Sequence, residues 1–133
     1  MNSELKDLLF LDIETVAISP TYEQLDERLK TQWARKASFF RKDGNLSDED
    51  LFYQRAGIYA EFGKIITIAV GLFTENEGGE LGLRTKYFTS HDEHALLIQF
   101  KALLDKLGPN TKMCAHNGKE FDFPYISRRI NWI

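Results

Sequence analysis

Apolar positions recur along this chain with two periods, and the switches between them mark its elements. Leu8-Leu9-Phe10-Leu11-Asp12-Ile13 is a short apolar run of buried-strand length. A polar stretch rich in aromatic residues follows, with two helix-like pieces. In the first, Ser19 is placed to cap, Pro20 suits a first turn, and Tyr22, Leu25, Leu29 and Trp33 form a stripe. The second opens at Ser47, where Asp48, Glu49 and Asp50 suit a helix N-terminus, and carries Leu51, Phe52, Arg55 and Tyr59 towards Phe62.

Lys64 to Phe73 is apolar on both faces and predicts a strand central in a sheet. Thr74 to Glu80 is a turn, and Leu81 to Thr89 returns with the alternation of a hairpin partner. Ser90 and Glu93 have capping-box spacing ahead of Leu96, Phe100, Leu103, Leu104 and Leu107, and Gly108-Pro109 ends that helix. Lys112 to Ala115 predicts a short fourth strand, and Phe121 to Ile130 a last helix. The order strand, helical insert (about 19–60), strand, strand, helix, strand, helix predicts an α/β layer fold in one domain spanning 1–133. Ser127 to Ile133 closes the sequence in an apolar segment without a helix C-cap, which reads as a fold that should continue.

Composition narrows the class. With 10 Phe, 5 Tyr and 2 Trp, the chain can fill a core, which disordered sequences cannot. The longest apolar run, Ile65–Phe73, is strand-sized and too short to span a bilayer. Met1 to Asp7 is too acidic for a signal peptide. The single Cys114 excludes a disulfide framework and a cysteine-built zinc site, so a reducing, cytoplasmic setting is the expectation. Seventeen Lys and Arg against 20 Asp and Glu leave a net charge of −3. That argues against non-specific coating of a polyanion, but not against a nuclease whose carboxylates gather around metal ions.

Candidate chemistry begins at Asp12 and Glu14. Two apart on a strand, they fall on the same face, about 6–7 Å apart at the backbone. Oxygen ligands at a strand end suit Mg²⁺ or Mn²⁺, which keep several waters and accept substrate phosphate. The apolar run ahead of them distinguishes this pair from Asp48-Glu49-Asp50 and Glu75-Asn76-Glu77, which read as a solvated helix start and a turn. Asp122 sits in the first turn of the last helix, where the macrodipole favours an anion, with Phe121 anchoring the turn and Asp122 aimed outwards. An ordinary strand end and an ordinary first-turn acid are the structural alternatives.

Together these residues carry a resemblance. Phe10-Leu11-Asp12-Ile13-Glu14-Thr15 resembles the first motif of the DEDD 3′–5′ exonucleases, and Asn117-Gly118-Lys119-Glu120-Phe121-Asp122 resembles their second. The form is that of proofreading domains of family B DNA polymerases, and Tyr59 to Ile65 with the insert before it resembles a bacterial family of predicted exonucleases related to them. The resemblance implies a ribonuclease H-like mixed sheet, the first three strands antiparallel and the fourth beside the first, with helices on both faces. It also implies two Mg²⁺ or Mn²⁺ ions about 3.5–4 Å apart that clamp the scissile phosphate at the 3′ end of single-stranded DNA. On that pattern Asp12 bridges both metals, Glu14 binds the nucleophile-side metal and Asp122 holds the second. Thr15 meets the terminal nucleotide through its backbone, and Asn117 and Phe121 belong to the substrate side.

The sequence departs from the pattern after Asp122. The family's third motif is a Tyr or His four residues before a fourth Asp, and none of the 11 residues after Asp122 is acidic. This predicts the front part of an exonuclease domain, lacking a fifth strand and final helix, that binds metal poorly and turns over slowly or not at all. A non-catalytic nucleic-acid- or protein-binding module on the same fold, or an exonuclease directed at RNA, are the alternatives. The oligomeric state is open.

Weaker signals remain. Arg35 to Lys42 interleaves basic and aromatic residues as a single-strand groove would, against a bland reading in which Phe39 and Phe40 pack inwards. Lys119, Arg128 and Arg129 either neutralise phosphates or form a solvated helix face. His91 and His94 read as a surface helix start, His116 as an edge histidine near the site, and Cys114 as a small core residue.

Overall fold

The computed structural model describes residues 1–42 and 44–131. Trp132 and Ile133, which end the apolar tail expected to continue, lie outside the described residues. Two compact units emerge, one formed by 1–14 with 65–133 and the other by 15–64.

The larger unit is a four-stranded sheet with helices. A single-turn α1 (Ser3–Lys6), not foreseen from the sequence, precedes β1 (Leu8–Ala17), and β2 (Gly63–Glu75) turns back as β3 (Leu81–Thr89). Then come α4 (Glu93–Leu107), β4 (Lys112–Cys114) and α5 (Asp122–Ile130). The strand order is β3-β2-β1-β4, with β2 and β3 antiparallel and β4 parallel to β1. The sheet is therefore mixed, and β2 is central, as its two-faced apolar pattern requires. β4 is parallel to β1 because α4 supplies the long crossover that parallel pairing needs.

Period-2 geometry divides β1 cleanly. Leu9, Leu11 and Ile13 are buried, whereas Asp12 and Glu14 are exposed on the other face. In the register of β2 with β3, Ile68 lies opposite Phe88, and the Phe88 ring meets Phe100 of α4 edge-on at 6.3 Å. That face is the core: Leu96, Leu97 and Phe100 are each only 1% exposed. On the opposite face Phe10 packs edge-on against Phe73, and Leu83 and Tyr87 of β3 are exposed. β4 is exposed along its length, so Cys114 is not the core residue expected of it; a three-residue edge strand has too little cover to bury a side chain.

The start of α4 corrects a sequence expectation. Ser90 and Glu93 do not form a capping box. Asp92 is the N-cap, accepting from Ala95 N–H at 3.1 Å, while Ser90 Oγ accepts from Asp92 N–H. Glu93 is drawn away by a stronger partner, the buried guanidinium of Arg129 on α5. Gly108, with φ 86°, closes the helix in a conformation that glycine adopts without strain.

The smaller unit holds α2 (Glu27–Phe40), α3 (Asp48–Arg55) and a 3-10 turn over Ala56–Ile58. α2 starts seven residues beyond Pro20, because Asp26 is the better cap: its carboxylate accepts from Leu29 N–H at 2.7 Å. Ser19 instead donates to Thr21 O in a bend. Ser47 caps α3 as its spacing predicts, in a reciprocal box with Asp50. The core centres on fully buried Trp33, ringed by Phe40, Phe52, Tyr59 and Phe62, its indole N–H donating to Asp48 O at 2.8 Å. Arg41 ties the loop between α2 and α3 by bonds to Leu46 O and Asp48. Among the described residues no helix is long and apolar enough to cross a membrane.

Candidate nuclease site

Asp12 and Glu14 project from the exposed face of β1, as strand alternation requires. Asp122 comes to the same stretch of β1 from the other end of the chain. The turn that delivers it is tight. Asn117 adopts φ 53°, a left-handed conformation that asparagine tolerates better than most residues, and its carbonyl accepts from Glu120 and Phe121 N–H at 3.1 and 3.0 Å. Gly118 follows because there is no room for anything else: a Cβ there would lie 2.8 Å from both Ala115 Cβ and Phe123 Cζ. Phe123 N–H then donates back to Gly118 O at 2.8 Å, and α5 begins.

The outcome reverses the expected orientation of the motif's last two residues. Phe121 is half-buried and stacks at a tilt on Tyr125, 5.4 Å between centroids, whereas Asp122 turns inwards and is 3% exposed. Its Oδ1 accepts from Ile13 N–H at 3.3 Å, across 109 positions of sequence. A carboxylate is placed inside because a backbone N–H of β1 waits for it there, between Asp12 and Glu14 in the chain. Burial raises the Asp122 pKa most, and the nearby Asp12 carboxylate adds to this. The N–H groups of Ile13 and of Asp122 itself, and the proximity of His116, pull the other way without winning.

The remaining candidates have structural partners. Thr15 donates its hydroxyl to Gly57 O at 2.7 Å, and a Cβ on Gly57 would meet the Val16 backbone at 3.1 Å. Gly57 thus holds the Thr15 hydroxyl and packs against the Val16 backbone, and no pattern in the sequence singles it out. Arg129 does not face phosphate or solvent. It is 6% exposed and bonds Glu93 through Nε and Nη2 at 2.5–3.1 Å, while Ile65 N–H donates to the same carboxylate at 2.6 Å. The expected apolar stripe of a helix would not reveal such a pair. His91 and His94 are exposed, as a surface helix start should be.

The donors fit a hard divalent cation in kind, since all three are carboxylate oxygens. They do not form a ready-made nest: among the described residues, no group of three or more His, Cys, Asp or Glu side chains is placed to hold a metal ion.

Comparison with known proteins now gives the class. Residues 55–133, more than half of the chain, match the RNase H superfamily. The chain belongs to that superfamily, and the four-stranded mixed sheet with its flanking helices is a ribonuclease H-like α/β fold. The matched stretch holds β2, β3, α4, β4 and α5 with Asp122, and stops short of the β1 carboxylates. No curated protein matches the chain.

Proposed function

We propose that this protein is a metal-dependent 3′–5′ exonuclease acting on the ends of single-stranded DNA, its 133 residues belonging to one exonuclease-like domain with the helical insert at about 19–60. The observation that carries the reading is the hydrogen bond from Ile13 N–H to Asp122. It ties the second motif to the strand of the first, so three carboxylates that sequence separates belong to one neighbourhood. Asp12, Glu14 and Asp122 are the residues that would hold Mg²⁺ or Mn²⁺. When bound, such an ion lowers the pKa of a coordinated water and stabilises charge on a leaving oxygen. Asp12 and Glu14, exposed on the strand, are free to approach a phosphate with its counterion. Asp122, buried and raised in pKa, is a carboxylate whose charge awaits a cation. Thr15, Asn117 and Phe121 flank these acids and would meet the terminal nucleotide, in the reducing, cytoplasmic setting that a single cysteine favours.

A second reading draws support from one observation: among the described residues, no group of three or more His, Cys, Asp or Glu side chains is placed to hold a metal ion. That suits a module that binds nucleic acid without cutting it.

Calorimetric titration with Mn²⁺, together with nucleotide release from 3′-labelled DNA and RNA oligomers, separates the readings. We expect Mn²⁺ binding that Asp12→Ala and Asp122→Asn each weaken about tenfold or more, one lost charged contact being worth at least about 1.4 kcal/mol. Any release should favour DNA and vanish in Asp12→Ala. Mn²⁺ binding indifferent to both substitutions overturns the metal site, and oligonucleotide binding without metal dependence or release supports the module instead. Preferential release from RNA would reassign the substrate.

A further inference from the structure

The smaller unit carries a surface that the carboxylate site does not use. Arg28, Gln32, Arg35 and Phe39 recur at helical spacing along α2, so they form one stripe. All four are exposed, and Phe39 is 82% exposed although it is a large apolar ring. The bland expectation that Phe39 packs inwards fails for a plain reason. Trp33, Ala37 and Phe40 already fill the inward face of α2, which leaves position 39 pointing away.

Beside the ring lies a shallow groove lined by Gln32, Arg35, Lys36, Phe39, Glu61 and Phe62. Its chemistry is cationic and aromatic. Lys36 Nζ sits 4.3 Å over the Tyr59 ring, Tyr59 stacks on Phe40 at 17°, and Arg55 covers Phe40 at 4.3 Å. Charge is sorted along the helices as well. Asp26 and Glu27 begin α2 and Asp48, Glu49 and Asp50 begin α3, whereas Arg35, Lys36, Arg41 and Lys42 cluster towards the end of α2. The salt bridges of this unit among the described residues take up Lys30 and Arg41, not Arg28 or Arg35. Among the described residues Glu61 is the one acid lining the groove, against two cations.

We propose that the exposed stripe of α2 is a docking surface for single-stranded nucleic acid, with Phe39 as the base-stacking platform and Arg28, Arg35 and Lys36 as phosphate contacts. This deepens the nuclease reading and rests on it for the class of partner. Every base presents a face to an aromatic ring, so such a platform binds without sequence preference. Arg28 to Phe39 spans about 16 Å of helix at 1.5 Å per residue, the length of a few nucleotides at about 3.4 Å each. A protein partner would want the exposed ring flanked mainly by apolar neighbours, and here Gln32, Arg35, Lys36 and Glu61 line the groove beside it, with Phe62 the single apolar companion among the described residues.

Fluorescence anisotropy with a short labelled oligothymidylate, at two salt concentrations, tests it. Phe39→Ala is expected to weaken binding about five- to a hundredfold, the range of one lost base stack, and Phe39→Trp to retain it. Arg35→Glu should weaken binding and flatten its salt dependence. Binding is read in excess chelator, where no metal-bridged contact contributes, so a failed catalytic site and a failed α2 surface give different results. Because Phe39 and Arg35 are exposed, thermal melting of these variants should match the parent and guard against misfolding. Affinity that ignores Phe39→Ala and Arg35→Glu, or no affinity in the parent protein, overturns the proposal. So does self-association in sedimentation that Phe39→Ala abolishes, which would assign the ring to a second copy.

Discussion

Arg129→Met tests how the helices of the sheet-bearing unit are held together. The Arg129 side chain is 7% exposed and that of Glu93 10%, and Glu93 also serves the Ile65 N–H of β2. One carboxylate therefore joins α4, α5 and the start of β2. Glu93 lies in the first turn of α4 and Arg129 in the last turn of α5, so both charges also favour the dipoles of their own helices. Removing the arginine leaves a buried carboxylate short of its cation, at a cost of about 3–5 kcal/mol. At about 4 °C per kcal/mol for a domain of this size, melting should fall by about 12–20 °C. The double variant Glu93→Leu/Arg129→Met removes both charges and should recover part of the loss. It still orphans Ile65 N–H, for a residual deficit of about 1–3 kcal/mol. Urea unfolding followed by circular dichroism on the parent, both single variants and the double variant closes the cycle. If the double variant loses the sum of the two single losses, the pair is uncoupled and the reasoning fails.

Three further outcomes follow from particular contacts. In protein treated with a chelator, Asp122→Asn should be more stable than the parent near pH 7, because asparagine keeps an acceptor for Ile13 N–H without a buried charge. The parent's folded-state pKa is raised, so its stability is fullest below the unfolded pKa and declines as pH rises through the folded one; the advantage of asparagine should therefore close on acidification, and a pH-independent difference would contradict the assignment. Gly118→Ala should cost about 1–3 kcal/mol by overpacking against Ala115 and Phe123, read from urea midpoints, and a neutral effect would contradict this close packing. Trp33→Ala should cost about 3–5 kcal/mol by opening a cavity among four rings; melting unchanged from the parent would show that the insert's core does not depend on it.

Much of the architecture is local, and so it was legible. Strand alternation placed Asp12 and Glu14 on one face because side chains in a strand point to opposite sides in turn, whatever surrounds them. The Ser47 cap and the Gly108 stop were readable for the same reason, since their hydrogen bonds lie within a few residues. Capping is ambiguous in the sequence where more than one candidate precedes a helix. Asp26 prevailed over Ser19, and Asp92 over Ser90, and the margin between neighbouring caps is of the order of 1 kcal/mol or less.

By itself, then, the sequence determined the order of the main strands and helices, the side on which β1 shows its acids, and the spacing of the two carboxylate motifs. The tertiary structure alone decided that Asp122 turns inwards to Ile13, that Arg129 is a buried tie rather than a surface charge, and that Phe39 stands in solvent. Each of these depends on a partner or a filled space contributed from elsewhere in the chain. Periodicity reports which face of an element is apolar, but what covers that face is settled only when distant segments pack.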